Sequence, residues 1–515
     1  MKQTSCIKIF AAASAAAVCS LSHAQISGDI YWRHLGAEND TNKQYETRWD
    51  NQTIYAYDNG GEMIQIKSDD VVDWANCNII IDQKVSEKIG DKQFDNQDWI
   101  KSPWNTDLTI KNLTFAAIDG GHMWLNGSDN ANAGNLNITG TWTISTQMSG
   151  SVNGNYGVSA GKIVINKGAG YADGQYVGFG TDCYSAPGNE GFSFLKVAGD
   201  IDVNGAVRMS TNFKGSIDDP SMVVGGVVNM NAVDGAQPTW DFQFQGAAAD
   251  GLANRYFQVG GINGGGTLQA NTTHQGNRSV GYLVLTNKAG TSSEFIGTLR
   301  QGDRYVNKDA SMNIIMKGEG TQILRAVAGN EGTDTVKDNW YGTLTVEKGR
   351  FLYNADSKTQ YALELKGGSF GIVGANAGED VGSTAVESFN WDSGTLIVNN
   401  AGASSMSVLH VKGDLALGAA SGLAIRFEGG LGEGDIVSLD DFLVFEGLNA
   451  AADKAAMEGA LSGGEMSVFV GDQQHDYSYD SATGLTILGA IPEPAAIAAL
   501  FGALALGLAL YRRRG

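Results

Sequence analysis

The chain has 515 residues, a formal net charge of −21, and 42% hydrophobic against only 18% charged residues. So strong a negative charge repels nucleic acid and excludes it as a partner. With 70 glycines and only six prolines, the composition also excludes collagen and Pro-rich linkers, and it favours short strands separated by glycine turns.

Residues 1–24 have the pattern of a secretory signal peptide. Two lysines and a short alanine-rich apolar stretch come first, and Ala24 is a small residue at the cleavage position before Gln25. The pattern predicts export by the secretion machinery. Cys77 and Cys183 are the cysteines left after cleavage, and an oxidising compartment would allow one disulfide between them.

Residues 25–135 form an aromatic-rich β region. Seven of the ten tryptophans lie in it or just after it: Trp32, Trp49, Trp74, Trp99, Trp104, Trp124 and Trp142. Indole faces stack on sugars, so the cluster allows a carbohydrate-binding interpretation. Large side chains also pack in the core and close the open end of a repeat stack, and we favour core packing and capping.

Residues 136–430 repeat a short phrase, which is a glycine, one spacer residue and then alternating apolar residues. Copies begin at Gly140, Gly161, Gly199, Gly226, Gly266, Gly342, Gly368, Gly394 and Gly413. The intervals between Gly342, Gly368 and Gly394 are both 26 residues, which is about one coil of a solenoid. We therefore expect these three glycines at equivalent positions on successive coils.

Strand ends in this region carry asparagines, which tolerate left-handed corners: Asn166, Asn204, Asn229, Asn263, Asn287, Asn354 and Asn399. The alternation and the corners predict an all-β fold, an elongated parallel β-helix with inward residues stacked between coils. Antiparallel β-sandwiches remain the alternative. Phrases such as Gly342-Thr-Leu-Thr-Val resemble the repeats of autotransporter passengers, and this resemblance implies a right-handed β-helix.

Residues 431–490 predict a C-terminal β cap with a short helix. Short strands are expected from Val408 onward, the first two over residues 408–411 and 415–417. A helix is expected over residues 450–461, with Asn449 as its N-cap and a stop at Gly463. Residues 477–484 are expected to be a turn between strands.

Residues 491–515 contain Pro492, Glu493 and Pro494, then an apolar run over residues 495–511, then Arg512, Arg513 and Arg514. A helix over the 17-residue run would be about 25 Å long, close to the thickness of a bilayer's hydrocarbon core. The arginines would keep the carboxyl end in the cytoplasm. The segment therefore predicts a C-terminal transmembrane helix.

This arrangement resembles the PEP-CTERM sorting signal, which an exosortase-like enzyme processes in Gram-negative envelopes. The resemblance implies that Pro492, Glu493 and Pro494 are the recognition tripeptide and that Arg512, Arg513 and Arg514 stop transfer. It also implies a protein that is anchored in the membrane transiently or permanently and then reaches the cell surface or extracellular matrix. A plain membrane anchor is the alternative, but it does not explain two prolines around a glutamate.

The sequence contains no catalytic constellation, so no catalytic residue, cofactor or metal ligand is assigned. Acidic pairs such as Asp69-Asp70 and Asp440-Asp441, and the glycine-rich residues 429–435, are interpreted as loops. We expect a non-enzymatic structural or adhesive protein of the envelope, with extracellular polysaccharide as a candidate partner. The alternatives are a carbohydrate-binding protein and a β-helix enzyme that degrades polysaccharide.

Overall fold

The computed structural model describes residues 25–32, 55–82, 98–102, 107–116, 122–127, 134–151, 157–168, 170–171, 173–180, 194–213, 216, 218–244, 255–272, 279–301, 310–328, 341–355, 360–401, 405–492, 501–506 and 508–509. The described residues are mostly β, with 61% in strands and 8% helical, so the all-β part of the prediction is confirmed.

In the first half of the described chain the strands are β1 (Ile26–Trp32), β2 (Tyr55–Asp58), β3 (Met63–Gln65), β4 (Val72–Ile81), β5 (Asp98–Ser102), β6 (Leu108–Ile110), β7 (Asn112–Phe115), β8 (His122–Gly127), β9 (Leu136–Ile144), β10 (Gln147–Ser151), β11 (Gly157–Asn166), β12 (Gln175–Gly180), β13 (Phe194–Val197), β14 (Ile201–Asn204), β15 (Val207–Asn212), β16 (Met222–Val224), β17 (Val228–Asn231) and β18 (Thr239–Phe244). The later strands are β19 (Arg255–Val259), β20 (Ile262–Thr272), β21 (Ser279–Leu285), β22 (Ser292–Gln301), β23 (Ala310–Met316), β24 (Thr321–Ala328), β25 (Tyr341–Val346), β26 (Arg350–Ala355), β27 (Gln360–Ile372), β28 (Ser383–Val386), β29 (Ser388–Asn399), β30 (Val408–Val411), β31 (Leu415–Leu417), β32 (Leu423–Glu428), β33 (Ile436–Val437), β34 (Leu443–Phe445), β35 (Ser467–Val470), β36 (Gln473–Asp480) and β37 (Gly484–Ala490). The helix α1 covers Ala450–Ser462, and two 3-10 turns cover Ala420–Gly422 and Leu439–Asp441.

Most strands join three parallel ladders, which we name A, B and C. Ladder A contains β1, β4, β7, β9, β11, β14, β17, β20, β22, β24, β26, β27, β29, β32 and β35. Ladder B contains β6, β9, β11, β13, β16, β19, β21, β23, β25, β27, β29 and β31. Ladder C contains β5, β8, β10, β12, β15, β18, β20, β22, β24 and β26. A separate parallel sheet of β28, β30 and β34 is linked to β26 by hydrogen bonds between Thr384 and Ala355.

From β9 to β27 the chain passes through the ladders in the order B, A, C, and we call one such passage a round. In each ladder, a new round adds a strand beside the strand of an earlier round. Long strands serve two ladders in succession. The first half of β27 pairs with β25 in ladder B, and its second half pairs with β26 in ladder A. Each strand therefore finds its partner about one round of chain earlier.

The core is built from columns of apolar side chains that point inward from the ladders. One column of ladder B contains Leu136, Val158, Leu195, Met222, Phe257, Leu283, Ile314, Leu344, Leu363 and Phe389, each paired with the next. None of them exposes more than 2% of its surface. Burial of one such side chain contributes about 1.5–3 kcal/mol, so the columns hold successive rounds together.

The repeat assignment is right for two of the three equally spaced glycines and wrong for the third. Gly368 and Gly394 occupy matching positions in ladder A, because the residues that follow them pair with each other. Gly342 instead belongs to ladder B, where it pairs with Tyr361. The counterpart of Gly368 one round earlier is Gly349. The repeated glycine-spacer-apolar pattern occurs at strand starts in more than one ladder. Equally spaced copies of it therefore need not lie at equivalent positions on successive rounds.

Five glycines stack at one corner of ladder A: Gly140, Gly161, Gly199, Gly226 and Gly260. The N–H of Gly199 donates to the carbonyl of Gly161, and Gly226 and Gly260 each donate to the glycine before them, at 2.7–3.0 Å. A Cβ on Gly161 would lie 2.6 Å from the carbonyl oxygens of Thr139 and Gly140. The main chains of successive rounds therefore approach too closely here for any side chain.

The predicted left-handed asparagine corners are wrong. In the described residues Asp234 is the one non-glycine residue with a positive φ. The asparagines instead form ladders, in which Asn204 donates to Asn166 and Asn231 donates to Asn204, both at 2.9 Å. A carboxamide both donates and accepts, so stacking it satisfies both of its groups.

Two further amide ladders end at an aspartate. Asn112 donates to Asn78 and Asn78 to Asp29, both at 2.7 Å. Asn263 donates to Asn229 at 3.3 Å, and Asn229 donates to Asp202 at 2.7 Å. The remaining predicted corner residues are buried and donate to main-chain carbonyls: Asn287, Asn354 and Asn399.

Antiparallel strands lie at both ends of ladder A. At the amino end β1 pairs with β2, and β2 pairs with β3. At the carboxyl end β35 pairs with β36, β36 with β37, and β37 with β33. Such hairpins cover edge strands that would otherwise pair with other chains. Parallel pairing runs from β1 and β4 to β32 and β35, so it extends beyond residues 136–430 in both directions.

The helix α1 begins at the expected residue and ends one residue later than predicted, before Gly463. Asn449 precedes it, but the expected side-chain cap is wrong, because the Asn449 amide donates to Asp414 at 2.8 Å. Residues 477–484 are not a turn as a whole. β36 continues to Asp480, and the turn is limited to residues 481–483. The alternating pattern of exposed and half-buried residues explains why this polar stretch is a strand.

Candidate functional site

The predicted sorting tripeptide starts where the last strand ends. After β37, the N–H of Ile491 donates to the carbonyl of Gln474 at 2.9 Å, and its carbonyl accepts from the Gln473 side chain at 2.9 Å. Pro492 follows directly and is exposed. The other predicted sorting residues lie outside the described residues: Glu493, Pro494, Arg512, Arg513 and Arg514. No residue separates the hydrogen-bonded end of the sheet from the tripeptide.

The apolar run before the arginines is described in part. Residues 501–506 and 508–509 are helical, with Phe501, Leu504, Leu506 and Leu508 exposed. Within the described ranges, no helix combines the length and the apolar character required to cross a membrane.

The amino-terminal junction has a similar arrangement. Gln25 is exposed, and the first strand starts at Ile26, whose N–H donates to the carbonyl of Val71 at 2.9 Å. Ala24 lies outside the described residues. Cleavage between Ala24 and Gln25 would leave all of β1 in the mature chain.

The outer side of ladder C carries a buried polar network. Alternation along β18 points Trp240 and Phe242 into the core and Asp241 outward, yet Asp241 has no exposed surface. Arg208 of β15 donates to Asp241 Oδ2 through Nε at 3.0 Å and Nη2 at 2.6 Å. Ser210 donates to the same oxygen at 3.0 Å.

The network continues along the ladder. Gln269 of β20 pairs with Asp241, is fully buried, and accepts a hydrogen bond from Arg300 Nε of β22 at 2.8 Å. The Gln269 Nε2 atom makes no hydrogen bond. Polar side chains on four neighbouring strands thus form one column, whose buried carboxylate is neutralised by Arg208.

Sequence reasoning missed this network. Asp241 stands between two aromatic residues, which is the ordinary alternation of a strand with one solvated face. Its partner Arg208 is 33 positions away and reaches it only through the register of ladder C. The sequence signal for the network is a set of polar residues at outward positions of successive rounds. These residues can be recognised as neighbours only when the strand register is already known.

The aromatic residues of the amino-terminal region do not form one described surface. Trp142 is fully buried and contacts Phe115 and Phe179 edge to face, both at 5.7 Å between ring centroids. Its role in core packing is confirmed, and it cannot stack on a sugar. Trp74 is half-buried against the core. The other side chains of the cluster lie outside the described set: Trp32, Trp49, Trp99, Trp104 and Trp124.

Acidic residues of the segments interpreted above as loops make local hydrogen bonds or ion pairs. Each of three aspartates accepts a hydrogen bond from the main-chain N–H three residues earlier: Asp70, Asp435 and Asp441. Asp73 accepts one from the Asn76 side chain within β4. Asp440 pairs with Lys454 at 2.6 Å. Among the described residues, no three histidine, cysteine, aspartate or glutamate side chains converge to hold a metal ion.

Cys77 is fully buried and its thiol donates to the carbonyl of Asp73 at 3.0 Å. Burial, with a smaller contribution from the Asp73 carboxylate, raises the pKa of Cys77 to about 12. The thiol is free in the structure. Cys183 lies outside the described residues, so the disulfide stays a prediction.

Comparisons with known proteins found no relative of this chain. No family model, no curated protein and no solved structure matches it. The function is therefore inferred from the residues and the geometry of this chain alone.

Proposed function

We propose that the chain is an exported, surface-displayed structural or adhesive protein of the Gram-negative envelope or extracellular matrix. Residues 1–24 direct export, and residues 491–515 act as a PEP-CTERM signal read by an exosortase-like enzyme. One observation carries the proposal: the tripeptide Pro492-Glu493-Pro494, an apolar run and three terminal arginines follow the final strand without a linker.

The body of the protein is proposed to be an elongated right-handed parallel β-helix. The cyclic order of the three ladders and the inward apolar columns support this architecture. Connections between parallel strands are right-handed in about 98% of cases, which supports the hand. A long stack suits display, because its inward apolar columns stay buried along its whole length and antiparallel strands cover both ends of ladder A.

The apolar run over residues 495–511 is proposed to be a transmembrane helix, removed or retained after sorting. Its length of 17 residues corresponds to about 25 Å of helix, enough for a thin bilayer. Arg512, Arg513 and Arg514 would hold its far end in the cytoplasm, which leaves the ladders outside.

Glu493→Ala in the full chain tests the sorting step. We expect export to be unchanged, because the signal peptide is intact, and the unprocessed protein to remain in the membrane. The matched control is Glu465→Ala, an exposed glutamate of the same region, which should be processed like the wild type. Mass spectrometry of envelope and medium fractions reads out both variants. If Glu493→Ala matches the wild type in mass and location, and the mature protein keeps its apolar run, the chain has a plain anchor.

Replacing Arg512, Arg513 and Arg514 with serine tests the topology. Without positive charge the short run should pass through the membrane and release intact protein. Protein retained in the membrane would contradict the proposed orientation.

The adhesive role has its own test. A glycan-array screen of the mature protein should identify a polysaccharide that it binds, and incubation with that polysaccharide should leave its length unchanged. Shortened polysaccharide would favour the enzyme alternative.

A further inference from the structure

Two large apolar side chains are exposed on the outer face of the closing sheet, which we define as β33, β36 and β37. Ile436 of β33 exposes 54% of its surface and Leu488 of β37 exposes 39%. Ile436 pairs with Thr486, so Leu488 lies two residues along the neighbouring strand on the same face. Leu485 and Ile487 point the other way and are buried in the core. The exposed pair therefore faces away from the body.

The chain between this face and the apolar run is short. Leu488 lies three residues before Ile491, which is hydrogen-bonded to Gln474, and the run begins at Ala495. The four steps from Ile491 to Ala495 can span at most about 14 Å in any conformation. The headgroup layer on one side of a bilayer is about 5–7 Å thick. An anchored chain therefore keeps the end of β37 within about 9 Å of the headgroups.

The charge of this face limits the kind of lipid surface it fits. Asp476 of β36 is exposed, and the whole chain carries a net charge of −21. Anionic headgroups would repel it, whereas zwitterionic headgroups would not. Isoleucine and leucine side chains enter the boundary between headgroups and acyl chains favourably.

We propose that the outer face of the closing sheet, around Ile436 and Leu488, rests on a zwitterionic lipid surface while the chain is anchored. This inference rests on the proposed function, because it takes the run from Ala495 to be inserted in the membrane. The sheet then has a second role besides covering the edge of ladder A, since it sets the orientation of the body on the membrane.

Fluorescence quenching in vesicles tests the contact. The mature chain, residues 25–515, with Cys183→Ser is reconstituted in phosphatidylcholine vesicles whose headgroups carry a quencher, and a fluorophore is placed at Ile436→Cys or Leu488→Cys. Removal of residues 1–24 takes Cys6 and Cys19 away. Cys77 stays, because it is buried. Val71→Cys and Val233→Cys are matched controls, since these residues expose 50% and 46% of their surface elsewhere in the fold.

We expect quenching several-fold stronger at positions 436 and 488 than at the two controls. Replacing half of the phosphatidylcholine with an anionic lipid should weaken the quenching at positions 436 and 488. About ten glycine and serine residues inserted after Ile491 should bring it down to the control level, and quenching that persisted would overturn the tether argument. Equal quenching at all four positions of vesicle-bound protein would overturn the contact but not the anchor. Protein that does not bind vesicles at all would overturn the anchor itself.

Discussion

Replacing Gly161 with alanine tests whether close approach of neighbouring rounds shapes the glycine corner. The added Cβ would lie 2.6 Å from the carbonyl oxygens of Thr139 and Gly140. Both are main-chain atoms of the paired strand β9, and they cannot turn aside as the end of a flexible side chain can. Gly161 has no positive φ, so left-handed strain adds nothing. The expected effect is a local separation of β9 from β11.

The expected loss combines two opposing terms. Over-packing of a close-packed site costs about 1–3 kcal/mol. Alanine also restricts the unfolded chain, which stabilises the fold by about 0.4–1 kcal/mol. The net destabilisation should therefore be about 1–2 kcal/mol, which raises the population of locally opened chain roughly 5- to 30-fold. In a stack that depends on nearest neighbours, the loss should be concentrated in the rounds that contain Gly161.

Hydrogen exchange with mass spectrometry on the full chain measures this local opening. Peptides from β9 and β11 should exchange faster in Gly161→Ala, while β32 should be unchanged. Gly430→Ala is the matched control, because no atom lies within 4 Å of its added Cβ. Equal exchange in the two variants would refute the close-approach argument. A loss spread evenly over the chain would refute the nearest-neighbour argument.

Four other substitutions have defined outcomes. Gly459→Ala, at an exposed position of α1 with no atom within 4 Å of the new Cβ, should stabilise the helix by about 1 kcal/mol and slow its amide exchange; unchanged or faster exchange would contradict this. Arg208→Ala should destabilise the fold by about 3 kcal/mol, because it removes the guanidinium bound to the buried carboxylate of Asp241. Lys454→Ala breaks an exposed ion pair and should lower the free energy of unfolding by less than about 1 kcal/mol. Denaturant unfolding measures both losses, and equal losses in Arg208→Ala and Lys454→Ala would argue against the role of burial. The Cys77 thiol has an ordinary pKa of 9.0 and a raised pKa of about 12 in the fold, so the free energy of unfolding should fall as pH rises from 9 to 12. Cys77→Ala should lose that part of the slope, and a slope like that of the wild type would contradict the assignment.

Local features of the fold followed from the sequence. The strands Val408–Val411 and Leu415–Leu417 have the predicted bounds, and α1 starts where expected. Alternation and helix boundaries depend on residues within a few positions of each other, so a single sequence contains the information. The resemblance of residues 491–515 to a sorting signal could be recognised for a related reason, because it lies in a linear stretch of residues.

Register could not be predicted in the same way. Gly342 was assigned to the wrong ladder because its phrase starts strands on more than one side of the fold. The amides of Asn166 and Asn204 meet because pairing between β11 and β14 aligns residues 38 positions apart. Arg208 and Asp241 meet for the same kind of reason. Rounds of unequal length separate such partners, so no fixed period in the sequence reveals them.

The amide ladders give the stack a direction of growth. In each ladder the N–H of a carboxamide donates to the strand nearer the amino terminus, and two ladders end there at Asp29 and Asp202, whose carboxylates only accept. At the other end, the amide oxygens of Asn112 and Asn263 accept main-chain N–H groups from the next round. In these two ladders the last amide therefore offers an acceptor to the round that follows. Because synthesis delivers the amino end first, we expect the strands of these rounds to meet hydrogen-bond acceptors that are already in place.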